Sequence, residues 1–221
     1  MLLNGRKRDA LNMTPWPNLT GRMEGRLVVV EPLAPEHEEG LFGAGHDPEV
    51  WTYLSAFPGA CETRERFHLW MEEALAATAA GAEGAWAIID RASGRPIGTT
   101  RYLALRPTDR SLEIGWTWLG RPWWRTGANV ETKLLLLGRA FEQLGCERVE
   151  LKTDARNDRS RAAMAALPAQ FEGIHRRHRA LPDGSWRDSA WYSVIAPEWP
   201  GVRAQLRERL ARHGVSGDAA P

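Results

Sequence analysis

The sequence predicts an α+β domain, and three observations carry that prediction. A strand and helical segments lead into three consecutive antiparallel strands, followed by helix, strand, helix and two more strands, with no internal repeat. The middle three strands form a meander joined by short turns. After the third, a long amphipathic helix leads straight into a new strand, a crossover that lets the strands on either side of it lie parallel and adjacent.

A chain of 221 residues suits one large domain. We place that domain at 23–199, with a loosely attached lead-in over 1–22 and a C-terminal amphipathic helix and disordered end over 200–221. Basic and acidic residues nearly cancel, 29 against 28, so no global field draws the protein to nucleic acid or anionic lipid. Cys61 and Cys146 stand in no metal spacing, so neither a metal site nor a disulfide framework is expected, and a reducing cytoplasm is the simplest compartment. No apolar signal core or membrane-spanning run is legible, and no membrane partner is expected. The 11 tryptophans read first as core-filling rings.

Taken in order, Arg26 to Leu33 is β-branched and stopped by prolines, a first strand before a short polar helix near Pro35. Thr63 can cap a helix whose apolar positions Phe67, Trp70, Met71, Ala74 and Leu75 recur at three and four. Ala85–Asp90 and Pro96–Leu105 form a hairpin, and Ser111–Leu119 is the third strand of the meander. Strict alternation there puts Glu113 on the face opposite Trp116 and Trp118. The helix from about Asn129 carries the stripe Val130, Leu134, Leu137, Phe141 and Leu144 and ends at Gly145. A strand to Asp154 follows, then a helix over Asp158–Leu167 stopped by Pro168. Two strands, Gln170–Arg179 and Trp186–Ile195, are joined by a turn at Leu181–Gly184. Val202, Leu206 and Leu210 then mark a last helix, packed on its own domain or on a second subunit, which leaves a homodimer open.

Between Glu113 and Lys133 the strand, a loop rich in Gly, Arg and Trp, and a helix start follow one another directly. A loop that ends in Gly127 and opens into a helix presents unpaired N–H groups at the positive end of the helix dipole, a setting suited to phosphate. That geometry alone says only that something phosphorylated is bound.

Three pieces, Glu113–Leu119, Trp124–Lys133 and Asn157–Arg161, in this order and on these elements, resemble the GCN5-related N-acetyltransferase superfamily. Within it they resemble the ribosomal-protein N-terminal acetyltransferase branch, over about Gly25 to Trp199. The resemblance implies a mixed, mostly antiparallel sheet with a splayed central parallel pair, and acetyl-CoA as co-substrate for acetylation of a primary amine. The acceptor would be a small amine or a protein N-terminus. By that resemblance, backbone groups of Trp116, Thr117, Trp118 and Leu119 pair with the pantetheine arm as if it were another strand. The pyrophosphate cradle falls on Trp124, Arg125, Thr126, Gly127, Ala128 and Asn129; only Gly127 matches the family's usual spacing clearly, and Arg125 adds a charged donor. Asn129, Glu131 and Lys133 have an ordinary reading too, as first-turn helix residues with Lys133 solvated.

Asn157 and Ser160 align with positions that contact the pantetheine arm near the thiolate, while Asn157 equally suits a helix cap. Relatives outside this branch place a tyrosine further along that helix; here Ala162–Ala166 holds none. Proton delivery to the thiolate then falls to Ser160, to water, or to a group such as Tyr192. Glu113 is the candidate base, and a backbone N–H of Trp116 or Thr117, at a local bulge, the candidate oxyanion donor. Direct transfer in a ternary complex needs no covalent enzyme intermediate, and Cys146 is not expected to be a nucleophile. A non-catalytic acyl-CoA-binding domain of the same fold is the alternative. The basic run His175–Arg179, with Arg187, reads as protection of an exposed edge strand ahead of a grip on RNA. Loops near 32–62 and 180–190 set the acceptor.

Overall fold

Alternating and β-branched segments assemble into one eight-stranded sheet in the computed structural model, which describes residues 16, 19–54 and 62–213. The strands are β1 (Met23–Glu24), β2 (Val28–Pro32), β3 (Gly84–Asp90), β4 (Pro96–Arg106), β5 (Ser111–Leu119), β6 (Arg148–Asp154), β7 (Gln170–Ala180) and β8 (Trp186–Ile195). Their order is β1-β2-β3-β4-β5-β6-β8-β7. Every neighbouring pair is antiparallel except β5 and β6, which run parallel as the crossover requires.

Helices cover both faces. On one lie α1 (Glu38–Gly45), α2 (Pro48–Trp51) and α3 (Arg64–Ala79), which close Leu41, Trp51, Phe67, Trp70 and Met71 over Val29, Ala87, Ile89 and Trp118. Thr63 caps α3 as its position predicts, accepting the Arg66 N–H at 3.2 Å. On the other face lie α4 (Ala128–Gly138, continued by a π turn over Arg139–Gln143), α5 (Asp158–Ala165) and α6 (Trp199–Arg212). They cover Val28, Val30, Trp86, Ile88, Leu112, Ile114, Val149 and Leu151. Val202, Leu206 and Leu210 are buried, and α6 lies against α4 with Trp199 stacked on Phe141 at 5.6 Å, so the last helix closes on its own domain. The disordered end expected after Gly214 lies outside the described residues, as do Cys61 and most of the lead-in. Trp16 is fastened, its indole N–H donating to the Leu144 carbonyl at 2.9 Å.

Four expectations are corrected. A short strand, β1, precedes the first one expected, and α2 was not foreseen. The buried face of α4 is Ala128, Thr132, Lys133, Leu136 and Leu137, with Ala140 beyond; the expected stripe is offset from it because α6 covers a second side of the helix. Most consequential, Glu113 shares a face with Trp116 and Trp118. Arg101 pairs with Gly115 and Thr99 with Trp118, so Trp116 and Thr117 together stand opposite Thr100 alone. This extra residue, with Trp116 at φ 48°, is a β-bulge that reverses which face the following side chains occupy. Leu112 and Ile114 therefore join one core and Trp118 the other.

Candidate active site

β5 and β6 form a ladder over only three positions, Ser111 with Arg148, Leu112 with Val149 and Glu113 with Glu150. β6 then continues to Asp154 along β8, and among the described residues no strand pairs with the β6-facing edge of β5 from Ile114 to Leu119. An unpaired strand edge inside a sheet holds backbone donors and acceptors in want of partners. The bulge falls in the same stretch of β5, on its β4 side, where Thr117 bonds Thr100, Oγ1 to Oγ1 at 2.8 Å. Two carbonyls of the expected rail are engaged by side chains: the Trp124 indole N–H donates to the Leu119 carbonyl at 2.7 Å, and the Thr99 hydroxyl to the Trp116 carbonyl at 3.4 Å.

Two helices start shortly after the C-terminal ends of β5 and β6. Gly127 is the N-cap of α4 at φ 91°, a left-handed conformation natural to glycine; it supplies no side-chain cap itself, and the Thr126 hydroxyl accepts only the Ala128 N–H, at 3.4 Å. Thr126 closes the loop by donating its hydroxyl to the Trp123 carbonyl at 2.8 Å. Uncapped N–H groups at a helix start are anion donors, so this loop fits a diphosphate. Asn157 caps α5, its Oδ1 accepting the Ser160 N–H at 3.0 Å, and is itself buried, while Ser160 is half-buried. The two starts are joined by a contact not read from sequence: the Arg159 guanidinium lies 3.6 Å from the Trp124 ring centroid.

At the point where the ladder ends, Glu113 is 2% exposed and accepts from Lys152 Nζ at 2.6 Å. Burial holds its carboxyl above the usual range, and the Lys152 ammonium works against that shift. A buried carboxyl beside an open strand edge is chemically a candidate proton acceptor. The Tyr192 hydroxyl accepts from Arg161 Nε at 3.4 Å, and Tyr192 belongs to the core on the α4 side. Cys146 is buried in that same core, its thiol pushed up to about 12 by burial, which keeps it protonated.

One ordinary expectation fails, and a second holds but is incomplete. Lys133 is not solvated: it is 7% exposed, its ammonium donates to Thr117 Oγ1 at 2.7 Å, and burial lowers it to about 7. Glu131 does more than favour the dipole. Its carboxylate accepts the N–H groups of Arg26 at 2.8 Å, Leu27 at 2.7 Å and Val28 at 2.8 Å, fastening β2 to α4. Neither could be read from spacing, because both depend on what the helix packs against. His175–Arg179 lies on β7, the edge strand, with every residue of the run exposed, whereas Arg187 on β8 is buried.

Comparison with known proteins agrees with this geometry. Residues 26–170 match the family model of the acetyltransferase (GNAT) domain. A candidate acetyltransferase from T. thermophilus is 42% identical, with 90% of this chain and 100% of that chain covered and a TM-score of 0.79. A GCN5-related N-acetyltransferase from Brucella melitensis is 32% identical, with 90% and 89% covered and a TM-score of 0.80. A candidate ribosomal-protein-serine acetyltransferase from Vibrio cholerae is 17% identical, with 83% and 99% covered and a TM-score of 0.68, a likeness of fold alone. No curated protein matched. Among the described residues no helix is long and apolar enough to cross a membrane. The match over most of the domain, with two relatives above 30% identity, places the chain in the GNAT acetyltransferase family.

Proposed function

We propose that the protein is a cytoplasmic N-acetyltransferase that moves an acetyl group from acetyl-CoA to a primary amine by direct attack in a ternary complex. The acceptor is a small amine or a peptide N-terminus. The observation that carries this reading is Glu113, buried where the β5–β6 ladder ends and the strand edge opens. Trp116 to Leu119 offer backbone groups to an extended amide chain, and Trp124 to Asn129 a diphosphate site at the start of α4. The branch of ribosomal-protein N-terminal acetyltransferases rests on the residue patterns Glu113–Leu119, Trp124–Lys133 and Asn157–Arg161.

The acceptor amine arrives protonated, with a pKa of about 7.7 to 8.0 for an α-amino group, and gives a proton to Glu113 directly or through water. Its nitrogen then bonds the acyl carbon, the carbon–sulfur bond breaks, and the second proton of the nitrogen passes to the thiolate through water or Ser160. Lys133, with its ammonium on Thr117 Oγ1, braces the bulge from behind. The catalytically inert reading is not favoured, since the identified relatives are acetyltransferases. Thiol release from acetyl-CoA over a panel of amines and peptides tests the proposal: turnover with any member supports it, and none with every member overturns it.

A further inference from the structure

Arg187 stands on β8 two residues from Ser189, which faces Asp154 across the β6–β8 ladder. It is 9% exposed, and among the described residues its Nε has no hydrogen-bond partner and no carboxylate lies at ion-pair distance from it. A guanidinium carries five donors in a planar fork and keeps its charge, so a buried one is ordinarily paired.

It lies on the sheet face that carries Glu113: Glu113 pairs with Glu150, Lys152 with Trp191 and Asp154 with Ser189, and alternation carries that face on to Arg187. Glu113 and Asp154 act on Arg187 electrostatically, and Arg179, opposite it on β7, acts on both Arg187 and Glu113. Both carboxylates are already held, Glu113 by Lys152 at 2.6 Å and Asp154 by Arg156 at 2.8 and 3.0 Å. Lys152 also lies 5.1 Å from the Trp191 ring centroid, and His175 stacks on that ring at 4.7 Å. His178, bonded to Ser189 Oγ at 3.0 Å, is held below its ordinary value first by burial and then by Lys152, His175, Arg187 and Arg179. Lys152, Arg156, Arg179 and Arg187 outnumber Glu113 and Asp154, and Glu150, the third carboxylate that acts on Glu113, is held by Arg106 and Arg148, so positive charge remains where an amine must be deprotonated. Such a surplus opposes a polycationic acceptor and matches an amine that brings its own anion.

We propose that Arg187 is a specificity-determining residue that receives a carboxylate carried by the acceptor, a few bonds from the nitrogen that meets Glu113. This inference rests on the acetyl-transfer reading. The planar fork of Arg187 suits a carboxylate bidentately, and the paired state of Glu113 and Asp154 leaves Arg187 available to it. The carboxylate is either the α-carboxylate of a free amino acid or the acidic side chain next to a peptide N-terminus.

The test compares matched acceptors: free amino acids against their amides, and short peptides with Asp against Asn at the second position. In the wild-type protein, thiol release with acetyl-CoA is expected to show kcat/KM roughly tenfold or more higher for the carboxylate member of at least one pair type, as expected for a charged bidentate contact. The pair type that shows it identifies the source of the carboxylate. Arg187→Gln and Arg187→Met should erase that preference through KM while leaving the amide or Asn member unchanged, and both should melt at or above wild type. Equal kcat/KM within every pair, or equal losses on both members, overturns the proposal. Calorimetric binding of the same pairs in the presence of CoA separates the two readings. A carboxylate preference in binding that vanishes in Arg187→Met, without turnover, sinks acetyl transfer and keeps the anion site. Turnover without any such preference sinks the anion site alone.

Discussion

Lys152 Nζ lies 2.6 Å from Glu113 Oε2, an ion pair that spans β5 and β6 where their ladder stops. The pair places a cation against the candidate base, opposing the upward pull of burial on its carboxyl. A base must be ionised, so activity falls as pH drops through the Glu113 pKa. Removing the ammonium leaves burial unopposed and moves that limb upward. Lys152→Met should shift the acid limb of the kcat/KM profile up by about 1–2 pH units, the range for loss of a close opposite charge. An unmoved acid limb, read from turnover against pH, would separate Glu113 from the base role or Lys152 from Glu113.

Glu131 supports the site from beneath. Its carboxylate receives three consecutive N–H groups from the turn into β2. Glu131→Ala leaves those donors without a partner and should lower unfolding stability by about 2–4 kcal/mol, on the scale of unmet buried donors. Urea denaturation measures it, and a change within 0.5 kcal/mol (about the scatter of surface substitutions) contradicts it.

Lys133 predicts a pH dependence of stability. Its folded pKa is lowered to about 7, against 10.5 ordinarily. Between those values the unfolded chain binds the proton and the folded one does not, so stability from this group rises with pH through that window. It is fully present above the unfolded value and lost as pH falls through about 7. Lys133→Met should therefore stabilise the protein most near pH 6 and least near pH 10, by about 1–4 kcal/mol at the acid end. Thermal melts across pH provide the check, and a uniform shift contradicts the account.

Arg159 on Trp124 joins the two helix starts at 3.6 Å. Arg159→Ala removes a contact of about 0.5–1 kcal/mol at such a site, so the KM for acetyl-CoA should rise roughly two- to fivefold with the melting temperature little changed. Isothermal titration with CoA gives the same answer without turnover.

Much of the frame was legible because it rests on local rules. β5 spans Ser111–Leu119 as its alternation predicts, and Thr63 caps α3. The parallel pair followed from one crossover helix. Alternation could not reveal the bulge, because one extra residue at Trp116 leaves the sequence pattern intact while reversing the faces. Lys133 read as solvated because a lysine before four leucines suits an exposed face, but that face of α4 lies on the β5 bulge, where its ammonium meets Thr117. Arg187 read as one more charge in a basic run, yet it occupies β8 beside Asp154 and Ser189 while the others lie on exposed β7. Each miss is a side chain whose partner is set by tertiary contact.

The central claim, that Glu113 accepts the proton of an acceptor amine during acetyl transfer, meets its most direct test in steady-state thiol release by wild type and Glu113→Gln over roughly pH 6 to 9, with a competent amine. General-base catalysis contributes about 10²–10⁴-fold, so kcat/KM should fall by a factor in that range and lose its acid limb. A variant with unchanged kcat and an unchanged pH profile would contradict the claim.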